Sequence, residues 1–132
     1  MGVAPKGKRG TRLLTEAELE LMRILWGLGG ATAGEVLARH PAARKPAYTT
    51  VSTILRILEQ KGLVAAKREG RGHVYVPRLK KEVYEASCVK HLVGKVFDSP
   101  TGLVRRLIES EELSAEELAA LRDLIDSRMG GR

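Results

Sequence analysis

Residues 48–56 read Tyr-Thr-Thr-Val-Ser-Thr-Ile-Leu-Arg. Short hydroxyls approach base edges and phosphates closely, and an arginine pairs bidentately with guanine or holds a phosphate. Thr49, Thr50, Ser52, Thr53 and Arg56, with Tyr48 at their head, therefore form a candidate row for reading DNA. Three of them are threonines of low helix propensity, an uneconomical choice for a face that merely meets water. A second group, Arg68, Arg71 and His73, flanks the run Glu69-Gly70-Arg71-Gly72, where glycines let the backbone lie close to a phosphate chain. Both groups suit recognition of a polyanion and neither makes or breaks bonds. His40, His73 and His91 are scattered, and no Ser-His-Asp or paired-carboxylate motif accompanies them, so no catalysis is expected. Cys88 and His91 stand three apart and share a helix face, and two such pairs across a dimer would supply four zinc ligands. The plainer reading, a small apolar cysteine and a surface histidine, is preferred: no metal and no cofactor is expected.

Those side chains need elements to hold them. Thr15-Glu16-Ala17-Glu18 is a capping box, followed by Leu19, Met22, Leu25 and Trp26 at helical spacing. Thr32-Ala33-Gly34-Glu35 opens a short second helix, which His40-Pro41 closes. A third helix runs from Tyr48 to Lys61 with Val51, Ile54, Leu55 and Leu58 as its buried stripe. Leu63 to Arg68 and Val74 to Val76 then read as a hairpin around the glycine turn. Helix, helix, helix and hairpin is the order of a winged helix-turn-helix, whose third helix fits the major groove. From Lys80 the spacing is helical again, with Val83, Val89, Leu92, Val93, Val96 and Phe97 as the apolar set. Ser99-Pro100 caps a second helix striped by Leu103, Val104, Leu107 and Ile108. Ser114-Ala115-Glu116-Glu117 caps a third, striped by Leu118, Leu121, Leu124 and Ile125. The expected fold class is mainly α: an N-terminal winged helix-turn-helix of three helices and a two-stranded wing, followed by a three-helix dimerisation domain.

Charge divides the chain in the same place. Residues 1–81 hold 16 Lys and Arg against 6 Asp and Glu, a net +10, and residues 82–132 hold 7 against 10, a net −3. The first half is the one suited to DNA. The expected domains are a disordered basic arm at 1–13, a DNA-binding domain at 14–79 and a dimerisation domain at 80–132. Three short helices are marginal alone, so Val89, Leu92, Val93, Val96, Leu103, Leu107, Leu118, Leu121 and Ile125 are expected to meet a second copy. No run approaches the roughly 20 apolar residues of a membrane helix, and the basic start lacks an apolar leader region. A single cysteine fits a reducing compartment, so a cytoplasmic protein is expected.

Several segments resemble the BlaI/MecI/CopY family of penicillinase repressors. Leu14-Thr15-Glu16-Ala17-Glu18 with Ile24-Leu25-Trp26 resembles its first helix. Tyr48 to Leu55, Leu58 and Lys61-Gly62-Leu63-Val64 resemble its recognition helix and first wing strand. Glu69-Gly70-Arg71 with Val74-Tyr75-Val76-Pro77 resembles its wing, and Leu113 to Leu118 its last helix. The likeness spans about residues 13–127. It implies a bacterial cytoplasmic repressor that binds an inverted-repeat operator of double-stranded DNA as a homodimer. Family members that answer β-lactams are inactivated when a membrane sensor with a metalloprotease domain leads to cleavage at an Asn-Phe pair, whose place here is taken by Arg106-Leu107. The copper-responsive branch carries a C-terminal cysteine cluster, whereas this chain has Cys88 alone. Two alternatives stand beside this reading: a MarR- or ArsR-like regulator answering a ligand, and a winged-helix module that coats DNA without reading it or binds another protein.

Overall fold

The computed structural model describes residues 13–41, 43 and 45–130. The expected basic arm, except for Leu13, lies outside the described residues. In chain order the elements are α1 (Glu16–Leu28), α2 (Ala33–Arg39), α3 (Tyr48–Gln60), β1 (Val64–Glu69), β2 (Gly72–Pro77), α4 (Lys81–Lys95), α5 (Pro100–Glu109) and α6 (Ala115–Gly130).

Local hydrogen bonding explains where these helices begin. Thr15 Oγ1 accepts from the Glu18 N–H while Glu18 Oε1 accepts from the Thr15 N–H, at 3.1 and 3.0 Å. The same reciprocal pair forms between Thr32 and Glu35 and again between Ser114 and Glu117. Each box satisfies two amides that a helix start otherwise leaves without partners. Ser99 caps α5 by accepting from the Gly102 N–H, with Pro100 in the first turn. Gly29 ends α1 at φ 80°, a left-handed conformation that a residue with a Cβ adopts only with strain.

The core of the winged helix is built from one face each of α1, α2 and α3 closed by the sheet. Leu21, Met22, Leu25, Val36, Val51, Leu55, Leu58 and Val64 are all essentially sealed from solvent. The α1 stripe is therefore turned slightly from the expected one: Leu21 is buried, while Leu19 and Trp26 are half-buried. Trp26 packs against the edge of the core and its indole N–H donates to the Leu79 carbonyl at 2.8 Å. β1 and β2 pair antiparallel from Val64 opposite Pro77 to Glu69 opposite Gly72. Ala31 adds a one-residue bridge on the other edge of β2, exchanging two backbone hydrogen bonds with Tyr75 at 3.0 and 2.8 Å. The loop before α2 is thus stitched to the wing. Gly30 permits this approach, since a Cβ there would stand 3.3 Å from Val76 Cγ2.

Composition and charge change near residue 80, but compactness changes later. The described residues up to Val89 form one compact unit and those from Lys90 another. Tyr84 explains the difference. It is the buried residue of α4, its hydroxyl accepts from the Leu14 N–H at 3.0 Å, and its ring lies 6.0 Å from that of Trp26. Val83, assigned by spacing to the apolar set, is exposed instead. In the second unit α5 and α6 bury no residue at all.

Candidate nucleic-acid interface

The reading row is held by the rotation of α3. Val51, Leu55 and Leu58 are buried, and residues two positions from them on the chain lie a little over half a turn away. Thr49, Thr53 and Arg56 accordingly face solvent directly opposite the stripe, and Tyr48 and Thr50 are exposed at its N-terminal end. Ser52 is half-buried on the flank of that row, one turn before Arg56. Gln60, which spacing alone did not single out, continues the row four residues beyond Arg56 and is exposed. Its polarity and position would have revealed it.

The turn that precedes α3 and the residue that ends it are both anchored. Before it, His40 caps the C-terminus of α2 and its Nε2 lies 3.2 Å from Glu20 Oε1 on α1, with the imidazole almost fully buried. Lys45 Nζ donates to the Ala38 carbonyl at 3.0 Å across the same turn. After it, Lys61 Nζ donates to Glu18 Oε2 at 2.6 Å. The Glu18 side chain is only 8% exposed, so the carboxylate that completes the α1 capping box also grips the end of α3. Burial pushes the Glu18 pKa upward, but hydrogen bonds from Lys61 and Thr15 together with the Lys61 charge outweigh it and hold the carboxyl below its ordinary 4.5.

The wing is longer and its turn tighter than spacing suggested. The strands run on to Glu69 and Gly72, leaving Gly70 and Arg71 as a two-residue loop with Gly70 at φ 62°. Arg71 is thereby placed at the tip. His73 belongs to β2 rather than to the loop and sits opposite Arg68, on the same sheet face, with both exposed. Lys67, one residue back, is a further exposed cation, on the other face, which the motifs do not mark.

A helix that shows hydroxyls and an arginine to solvent, beside a hairpin tipped by arginine and in a half carrying net +10, defines a winged-helix DNA-binding protein. The comparisons place it further. The family model for penicillinase repressors matches residues 14–127, and the chain belongs to that family of DNA-binding transcriptional repressors; it is not an enzyme. The methicillin resistance regulatory protein MecI of Mammaliicoccus sciuri is 24% identical over 116 residues, spanning 87% of this chain and 94% of that protein. The penicillinase repressor of Bacillus licheniformis is 25% identical over 114 residues, spanning 86% of this chain and 89% of that one. A MarR family protein from Bacillus stearothermophilus of known structure matches with a TM-score of 0.52, covering 96% of this chain and 84% of that one; at 18% identity the likeness is one of fold. The family resemblance carried by the sequence motifs is thus borne out, and of the alternatives the MarR-like one shares the architecture.

The nine residues expected at a dimer interface divide by exposure. Val89, Val96, Leu107, Leu121 and Ile125 are exposed, between 38% and 66%, whereas Leu92, Val93, Leu103 and Leu118 are half-buried. Val104, Ile108 and Leu124 are exposed beside them. Arg106 and Leu107 lie within α5, both open to solvent, with Arg106 paired to Glu109 at 3.8 Å. Cys88 and His91 are half-buried on α4, and among the described residues no group of three or more His, Cys, Asp or Glu could hold a metal ion. Also among those residues, no helix is long and apolar enough to cross a membrane.

Proposed function

We propose that the chain is a homodimeric, sequence-specific transcriptional repressor that occupies an inverted-repeat operator in the bacterial cytoplasm. The observation that carries this reading is the solvent-facing row Thr49, Thr53 and Arg56, set opposite a sealed stripe on a helix whose C-terminal end is held by the Glu18–Lys61 pair. Thr50, Tyr48 and Ser52 flank the row, and Arg68, Arg71 and His73 hold the backbone from the wing. A pinned helix presents its groups in one geometry, which discrimination between bases requires.

Support for the dimer comes from α5 and α6, which bury nothing while exposing Leu107, Ile108, Leu124 and Ile125. Burying one such side chain fully is worth about 1.5–3 kcal/mol, so a second copy recovers a large stabilisation. Two copies related by a two-fold axis read a DNA site of matching symmetry. Induction acts by weakening this dimer, because a lone monomer loses the gain in effective concentration that tethering provides. A sensor-linked cut at Arg106-Leu107 is a route to that end: it would detach α6 and leave α1 to β2 whole.

Selection of binding sites from random duplexes tests the reading. It should enrich an inverted repeat whose half-site centres lie about one helical turn, or a multiple of it, apart. Enrichment of nothing, or of single unpaired half-sites, would refute it.

A further inference from the structure

A recess of about 390 Å³ lies where the start of α1, the end of α3 and the first turns of α4 meet. Its walls are mainly apolar: Leu13, Leu14, Ile57, Leu63, Leu79 and the ring of Tyr84. Leu14, Leu63 and Leu79 are half-buried, while Leu13 and Ile57, 41% and 38% exposed, stand at its mouth. The polar groups set among them are already paired with protein. Glu18 accepts from the Thr15 N–H with Oε1 and from Lys61 Nζ with Oε2, and the Tyr84 hydroxyl accepts from the Leu14 N–H. Among the described residues no buried side-chain nitrogen or oxygen lacks a hydrogen-bond partner. What these walls leave unmade is therefore apolar contact, because atoms that face a void forfeit the dispersion attraction of a neighbour. The space is also too large for a packing fault, since one water accounts for only about 30 Å³ of liquid.

We infer that this recess is a binding site for a small, neutral, largely apolar molecule, one of fused-ring size with a single hydrogen-bonding group. Sites for such molecules are concave, mostly apolar and about 300–1,000 Å³ in volume. A docked helix, about 10 Å across, would need roughly 400 Å³ for each turn, so the recess suits a molecule and not an element of a partner. Neutrality follows from the ion pair in the wall. Glu18 and Lys61 neutralise each other at 2.6 Å, so an entering anion meets the Glu18 carboxylate and an entering cation meets the Lys61 ammonium. Either would leave water without gaining an unpaired opposite charge. The exposed Gln60 amide at the rim can meet one hydroxyl or carbonyl. Ile57 and Gln60 belong to α3 and Lys61 ends it, so the occupant touches the helix that carries the exposed row. The binding itself does not depend on the DNA-reading role of that helix.

The probe is β-naphthol, a neutral fused ring with one hydroxyl, titrated into the full-length chain with isotope-labelled isoleucine and leucine methyl groups. It should saturate at one molecule per protomer and shift the signals of Leu13, Leu14, Ile57, Leu63 and Leu79. The signals of Leu107, Ile108, Leu124 and Ile125, exposed on α5 and α6, should stay in place. β-Naphthoate and β-naphthylmethylammonium, its anionic and cationic counterparts, should bind about tenfold more weakly or worse, because a charge enters without a partner. Two variants fill the recess, Ser87→Phe from α4 and Leu13→Trp at the mouth. Each should weaken β-naphthol about tenfold or more while keeping the urea midpoint of the unchanged chain, since a filled site has no room for a second occupant. Shifts confined to α5 and α6 overturn the inference, as do undiminished binding in both folded variants and tighter binding of either charged counterpart. Should a variant fail to fold, the shifts in the unchanged chain decide. Absence of binding at millimolar β-naphthol also overturns it, and nuclear Overhauser contacts into the recess from other parts of the chain or from a second copy would then name what fills it. Loss of sequence preference on DNA with binding of β-naphthol intact would count against the reading of α3 and not against this site.

Discussion

Replacing Glu18 tests how the reading helix is held. In the Glu18→Ala variant the capping box of α1 loses its carboxylate and Lys61 loses its partner in the same step. A hydrogen bond to a charged group contributes about 1.5–3 kcal/mol, and an N-terminal capping interaction about 1. Breaking a fully buried ion pair costs more, but the Lys61 side chain is 38% exposed and its ammonium can take up water once abandoned. The expected loss is therefore about 2–3 kcal/mol. Glu18→Gln keeps an acceptor for the Thr15 amide and removes only the charge, for about 1 kcal/mol. With a urea dependence of about 1–2 kcal/mol per molar, the alanine change should lower the midpoint by roughly 1–2 M at fixed protein concentration. The pH dependence carries the sharper signature. The folded carboxyl titrates below its ordinary value of 4.5, so its stabilisation is present above that pH and disappears as pH falls through the lowered value. The gap between the unchanged chain and Glu18→Gln should be full at pH 7 and close under acid. A double-mutant cycle with Lys61→Met should return a coupling near 1 kcal/mol. A gap that is constant from pH 7 to 3, or a coupling near zero, refutes the claim that this pair fastens the end of α3.

Further outcomes follow from the wing, the apolar faces and α5. Arg71→Ala, at the hairpin tip, should weaken all DNA sequences alike and flatten the salt slope by about one unit; a loss confined to one sequence contradicts a backbone role. Ile125→Asp places a charge among the exposed side chains of α6 and should shift sedimentation at micromolar concentration towards the monomer; an unaltered dimer contradicts the interface. A chain carrying a specific protease site between Arg106 and Leu107 should, once cut, bind its operator about 100-fold more weakly or worse while α3 and the wing stay folded. Unchanged affinity after complete cutting contradicts induction through the dimer.

The parts of this architecture that short-range chemistry decides were legible in the sequence. Thr15 with Glu18, Thr32 with Glu35 and Ser114 with Glu117 announce helix starts because each box closes within four residues. The face of α3 was legible too, since apolar and hydroxyl residues alternate at helical spacing. Contacts between distant segments were not. Glu18 and Lys61 are 43 positions apart, and nothing in either neighbourhood marks them as partners. Leu19 and Leu21 both fit a helical stripe with Met22 and Leu25; the packing of α2 and α3 against α1 decides that Leu21 is the one sealed. Spacing marks Val83 and not Tyr84 for the same reason, because the anchor of Tyr84 is the distant Leu14 amide.

The central claim is that the exposed row of α3 reads sequence. Its most direct test is the ratio of affinities for the selected site and for random duplex, measured at one salt concentration for the unchanged chain and for Thr53→Ala. The account predicts a ratio of about a thousandfold or more for the unchanged chain. For the threonine variant the ratio should fall by roughly the 1–3 kcal/mol of a lost base contact, about 5- to 150-fold, with random-DNA affinity nearly unaltered. A ratio near one for the unchanged chain, or equal losses on both duplexes for the variant, would contradict it.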